Sequence, residues 1–184
     1  MTLNPKSELA AAISERKDKA AYTGAKISLI TEIAIVAAAL IIIFTSVFGF
    51  YTVHGQDMYP ALKDGDVVLY FRTHKIVNTE ACVYRTDDGV KVGRVEATGG
   101  TVISATGDLQ MTFDGNYLPI SRADGIYSKT YALEGTRFPF EIKEGNYFIL
   151  GDNRDEAVDS RKYGQINRKS VKGRIVTVLR RRQI

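Results

Sequence analysis

The sequence has a single cysteine, Cys82, among 184 residues. No intramolecular disulfide can form, so the chain is not a disulfide scaffold and its compartment cannot be read from a cysteine framework. Cys82 sits in the apolar run 81–84 and reads as a small core residue rather than a nucleophile. With only 4 prolines, 16 glycines, 45% hydrophobic and 25% charged residues, the chain is neither collagen-like nor disordered, and is an ordinary folded protein of one or two domains. Neither sign of charge is in large excess: 25 basic side chains against 21 acidic leave a formal charge of +4, which argues against nucleic acid as a partner. The two histidines, His54 and His74, have no partner suggested by spacing and read as surface residues.

Charge is also missing locally. Between Lys26 and Asp57 the only charged residue is Glu32, and residues 33–56 carry none. Twenty-four helical residues span about 36 Å, enough for a hydrocarbon core of about 30 Å. The apolar run exceeds the roughly 7–15 residues of a cleaved signal's apolar region and no small-x-small cleavage site follows it, so residues 27–51 read as an uncleaved transmembrane anchor. Glu32 marks its N-terminal edge. Lys6, Arg16, Lys17, Lys19 and Lys26 precede the span, so residues 1–26 are expected in the cytoplasm and residues 52–184 outside the plasma membrane. Phe48, Phe50, Tyr51 and Tyr59 would form an aromatic belt at the outer end.

The remainder predicts a mainly β fold. Asp64-Gly65, Asp88-Gly89, Gly107-Asp108, Asp114-Gly115, Asp124-Gly125 and Glu144-Gly145 are turn signals. Between them lie β-branched or aromatic runs at 67–71, 82–86, 90–95, 102–105, 146–150 and 175–179. No useful helical period follows residue 57. Residues 106–142 are turn-rich and less apolar, and are expected to form a small inserted subdomain.

Three segments stand out as carriers of chemistry. The first, His54-Gly55-Gln56-Asp57-Met58-Tyr59-Pro60, directly follows the span and leads through Gly65 into a strand. The second, Lys91-Val92-Gly93-Arg94-Val95, is a strand interrupted by glycine. The third, Gly151-Asp152-Asn153-Arg154-Asp155-Glu156-Ala157-Val158-Asp159-Ser160-Arg161, is a charged loop after an apolar strand.

In this order, outside an N-terminal anchor, the segments resemble type I signal peptidases, membrane serine proteases that remove signal peptides. That family's signatures are Ser-Met-x-Pro, a Lys-Arg pair on a strand, and Gly-Asp-Asn-Arg followed by Ser-x-Asp-Ser-Arg. The resemblance covers about residues 27–179 and implies an all-β catalytic core around a substrate groove. The chain departs where the chemistry lies. Asp57 stands at the nucleophilic serine, Gly93 at the lysine general base, Ala157 at the serine supporting that lysine, and Gly99-Gly100-Thr101 where Pro-Gly-Asp normally follows. A hydroxyl needs a neighbouring neutral amine to become a nucleophile, and such groups act as a unit.

The resemblance therefore implies no catalytic residue: Asp57, Gly93 and Ala157 are degenerate positions. The pattern looks like the catalytically degenerate, pilus-associated members of the family in Gram-positive bacteria, the SipA type. It implies a chaperone or scaffold for pilin subunits beside a pilus sortase, with Asp57, Met58, Tyr59, Pro60 and Gly93 lining the groove. Strand addition would hold an extended segment there. No cofactor or metal is called for. Lys91 shares a strand face with Gly93, two residues or about 6.6 Å away, and would form an ion pair with Asp57 if it reached it. Asp152, Arg154, Asp159 and Arg161 are expected to hold the third segment in place by pairing its acids with Arg154 and Arg161. Three alternatives stay open: an active peptidase using Asp57 or a partner-supplied group, an acid pair of Asp57 with Asp155 or Asp159, and a structural protein whose partners meet residues 106–142.

Overall fold

The computed structural model describes residues 5–72, 75–117, 130–133 and 136–180. The chain divides into two units, Met1–Ser46 and Val47–Ile184. Helix α1, Pro5–Val47, accounts for the first. Its stretch Ile13–Val47 is long and apolar enough to cross a membrane. Ile30, Ile35, Leu40 and Ile42 are all exposed, although they fall on different sides of the helix, as a lipid-facing span requires. Two hydroxyls near its C-terminal end bond back onto the helix, Thr45 Oγ1 to the Ile41 carbonyl at 2.8 Å and Ser46 Oγ to the Ile42 carbonyl at 2.7 Å, which satisfies them without water.

The helix ends at Val47, short of the expected residue 51. Phe48–Thr52 is instead strand β1, drawn into antiparallel pairing with β2, Val67–Phe71, from Phe48 opposite Phe71 to Thr52 opposite Val67. Phe48, Phe50 and Tyr51, expected in the aromatic belt, belong to this strand. His54 is exposed, and His74 lies outside the described residues.

The second unit is a β domain of two antiparallel sheets. Strands β3 (Ala81–Thr86), β4 (Gly89–Thr98), β9 (Asn146–Leu150), β10 (Ile166–Asn167) and β11 (Val171–Leu179) join β1 and β2 in a seven-stranded sheet ordered β1-β2-β11-β3-β4-β9-β10. Strands β5 (Val102–Ala105), β6 (Met111–Phe113), β7 (Asn116–Tyr117) and β8 (Phe140–Glu141) form the second, ordered β7-β6-β5-β8. Glycines with positive φ make the tight turns where the chain reverses, Gly65 at 82° before β2 and Gly145 at 79° before β9. After β9 come the short α-helix α2, Ser160–Tyr163, and a 3-10 turn, Arg168–Ser170.

Strand β9 explains how the layers meet. Phe148 and Leu150 pack with Ala97, Ile103, Met111, Phe113 and Ile142, whereas Tyr147 and Ile149 pack with Cys82, Tyr84, Val95 and Ile166. A strand buried on both faces reads as a continuous apolar run, as 146–150 does. The smaller sheet therefore begins at Val102, earlier than the expected boundary at 106, and shares a core with the larger one, with Phe113 and Phe140 rings 6.1 and 5.9 Å from Phe148. Residues 118–129 of the expected subdomain lie outside the described residues.

A buried carboxylate ties the segment after β1 to the end of β11. Asp66 accepts from Arg180 Nη2 at 2.7 Å and from the Lys63 N–H at 2.9 Å. The Arg180 hydrogen bond is the main reason its pKa lies below the ordinary 3.8. A carboxyl with a depressed folded-state pKa stabilises the fold fully above its unfolded value and loses that contribution as the pH falls through the folded one. Asp66→Asn should lower the melting temperature at neutral pH. It should also flatten the fall in melting temperature between about pH 4 and pH 2, followed by circular dichroism. An acid limb as steep as the native one would show that Asp66 does not carry it.

Candidate functional site

The segment between β1 and β2 folds into a closed loop. The Val53 N–H donates to the Asp66 carbonyl at 2.8 Å, and the Gly65 N–H to the Val53 carbonyl at 2.9 Å. Inside it, the Leu62 N–H bonds to the Met58 carbonyl at 2.8 Å. This turn sends Met58 and Leu62 into a core with Val53, Val68, Tyr70, Val83 and Val92. Met58 is 1% exposed, so it anchors the loop and does not line a groove. Pro60 is half-buried and Tyr59 is 46% exposed; Asp57 lies between core and solvent.

Asp57 is held from behind by the third segment. The Asn153 N–H donates to the Asp57 carbonyl at 3.0 Å, and Asn153 Nδ2 to the Gln56 carbonyl at 3.2 Å. Gly151 lies so close that a Cβ there would run into the Asp57 carbonyl oxygen and the Ala157 methyl. Only glycine permits this backbone approach. The loop keeps its own shape through Asp159, which caps α2 and accepts from the Gly151 N–H at 3.0 Å and from Arg161 Nε at 2.9 Å.

On its other side Asp57 meets a cation. Lys91 Nζ of β4 lies 3.0 Å from Asp57 Oδ2, each side chain 20% exposed. The lysine that shares a strand face with Gly93 thus bridges the two-residue offset. Gly93 is sealed from the groove: a Cβ there would meet Ile149 Cγ2 at 2.5 Å and Tyr84 Cε1 at 3.1 Å. Of the five residues expected to line the groove, Met58 and Gly93 are therefore buried. Asp57 has a cation for a neighbour rather than a second acid, since Asp159 is taken up by Arg161 and Asp155 is exposed. Among the described residues no His, Cys, Asp and Glu side chains are grouped to hold a metal ion.

Strand β4 pairs with β9 only from Arg94 onward, so among the described residues Gly89–Gly93 is paired on the β3 side alone. β1 ends the sheet order. Two side-chain contacts join these regions, Tyr51 Oη donating to the Val90 carbonyl at 2.6 Å and the Lys91–Asp57 pair. The nearby phenols stay protonated. Burial, followed by the Asp159 charge, raises the Tyr84 pKa, and burial with the Asp88 hydrogen bond pushes Tyr163 up to about 12.

The remaining charges of the third segment reach back to β4. Arg94 grips Asp152 with Nε at 2.8 Å and Nη2 at 2.7 Å, and Arg154 Nη2 bonds Glu96 at 2.7 Å with side-chain exposures of 1% and 8%. Asp159 pairs with Arg161 inside the loop, but the partners of Asp152 and Arg154 are Arg94 and Glu96. Sequence reasoning missed both, and a register shift between Val95 and Ala97 interrupts the alternation of β4 at Glu96. Burial raises the Glu96 pKa and lowers that of Arg154, each opposed by the other's charge. Glu96→Leu or Arg154→Met alone should cost about 3–5 kcal/mol, because either leaves an uncompensated buried charge, whereas the Glu96→Leu/Arg154→Met pair should cost clearly less than the sum. Additive losses in denaturant melts would contradict the coupling.

The β domain and all three segments fall within the region that matches a known family. The family described as "Signal peptidase, peptidase S26" matches residues 26–179. The chain is 32% identical over 155 residues to Signal peptidase I of Bacillus licheniformis, covering 77% of this chain and 80% of that protein. It is 28% identical over 151 residues to Signal peptidase I S of Bacillus subtilis (strain 168), with the same coverage of 77% and 80%. A solved signal peptidase I of Enterococcus faecalis V583 overlays with a TM-score of 0.42 and 23% identity, over 56% of this chain and 98% of that one. With the family match running from the anchor to the last strand, the chain belongs to the signal peptidase S26 family.

Proposed function

We propose that this member of the signal peptidase family binds an extended polypeptide without cutting it, and serves as a membrane-anchored chaperone or scaffold in sortase-dependent pilus assembly. One observation carries the non-proteolytic part: a carboxylate already paired with an ammonium, Asp57 with Lys91 at 3.0 Å, stands at the position the family resemblance gives to the nucleophile. A carboxylate is acceptor-only and has no hydroxyl to activate. A charged ammonium has no lone pair with which to take a proton. The buried Gly93 offers no second amine beside them.

The binding part is supported by what surrounds the pair. Among the described residues Gly89–Gly93 pairs on the β3 side alone, which leaves backbone groups other than the Val90 carbonyl for strand addition, and the exposed ring of Tyr59 offers an apolar contact. The occupant, a segment of pilin or of the pilus sortase, is assigned by resemblance to the degenerate pilus-associated members. An active peptidase remains the rival, because the relatives carry the name Signal peptidase I.

Tyr59→Asp places a charge on an exposed side chain and should leave the melting temperature unchanged. It should lower polymeric pilin on immunoblots of cell-wall extracts by about tenfold or more, the equivalent of about 1.4 kcal/mol of lost binding. Native polymer levels in that variant would remove the groove from the account.

A further inference from the structure

The amine of this site has two potential sources, and the structure separates them. A side chain at position 93 would enter space filled by Ile149 Cγ2 and Tyr84 Cε1. Lys91 already delivers its ammonium to position 57, at 3.0 Å. The two residues share one face of β4, and the flexible four-carbon lysine stem covers the offset between them. We infer that Lys91 is the amine of this site, relocated two residues back along β4, so that a hydroxyl at position 57 would complete a hydroxyl–amine pair. The inference rests on the reading that the groove still receives an extended peptide.

The surroundings of Lys91 are consistent with that role. Asp57 faces it from the loop, and Tyr84 lies directly across on β3. The Tyr163 ring centroid of α2 is 6.0 Å from Nζ, with the Tyr163 hydroxyl bound to Asp88 and Lys162 beside the same ring. Among the described residues, Asp57 is the carboxylate whose oxygen meets the Lys91 ammonium. Replacing Asp57 by serine removes that carboxylate and supplies a hydroxyl. The hydroxyl oxygen would attack the peptide carbonyl while the neutral Lys91 amine takes its proton and passes it to the leaving amine. Water, deprotonated by the same amine, would then hydrolyse the ester and release the acid and the free hydroxyl.

The test uses full-length protein in detergent and an internally quenched peptide containing a signal-peptide cleavage site, at concentrations that saturate its binding. Asp57→Ser should cleave the peptide about a hundredfold or more faster than the native chain, the range that a positioned general base supplies. Adding Gly93→Lys should bring no gain. Lys91→Arg in the same background should abolish cleavage without unfolding, because a guanidinium keeps the charge and cannot give up its proton. Asp57→Cys serves the same test if the serine variant melts early. A folded, peptide-bound Asp57→Ser chain without turnover, or turnover that survives Lys91→Arg, overturns the assignment of Lys91. Cleavage by the native chain would instead overturn the non-proteolytic reading and leave the role of Lys91 to the arginine variant.

Discussion

The site depends on one close backbone approach, that of Gly151 to Asp57. A side chain at 151 would collide with the Asp57 carbonyl and Ala157, and with none there the Asn153 N–H can bond the same carbonyl at 3.0 Å. That contact fixes the loop that carries Asp57. Buried Met58 and Leu62 hold the loop from below, and Asp159 holds the opposing segment through Gly151 and Arg161. Position 57 is thus a defined point in space, which allows a lysine from another strand to meet it.

The charges around this point differ in what they do. Arg94 with Asp152 and Arg154 with Glu96 fasten the third segment to β4; they are framework, and the second pair is almost fully buried. Buried pairs of this kind add little net stability over apolar packing but are costly to break singly. Asp57 with Lys91 is more open and lies at the half of β4 that, among the described residues, pairs on the β3 side alone. It is the charge pair that a chain bound as proposed would meet.

Much of this was legible in the sequence, for reasons that can be named. The long apolar helix shows as an absence of charge, and the strands as short β-branched runs between Asp-Gly and Glu-Gly turns. β1 did not show, because residues 48–52 continue the apolar stretch of the helix and only pairing with β2 separates them. The inward turn of Met58 depends on a hydrogen bond from Leu62, and the partners of Asp152 and Arg154 lie 58 residues away in each case. Spacing alone placed Lys91 on the face of Gly93; that it closes on Asp57, while Ile149 fills the glycine's space, is a matter of tertiary packing.

The most direct test of the central claim is turnover by the native chain itself. Full-length protein in detergent is incubated with an exported precursor, a pre-pilin, and the products are resolved by mass spectrometry beside Asp57→Asn. The account predicts an intact precursor in both samples. Cleavage at a defined bond by the native protein, lost in Asp57→Asn, would contradict it and make Asp57 part of a hydrolytic mechanism.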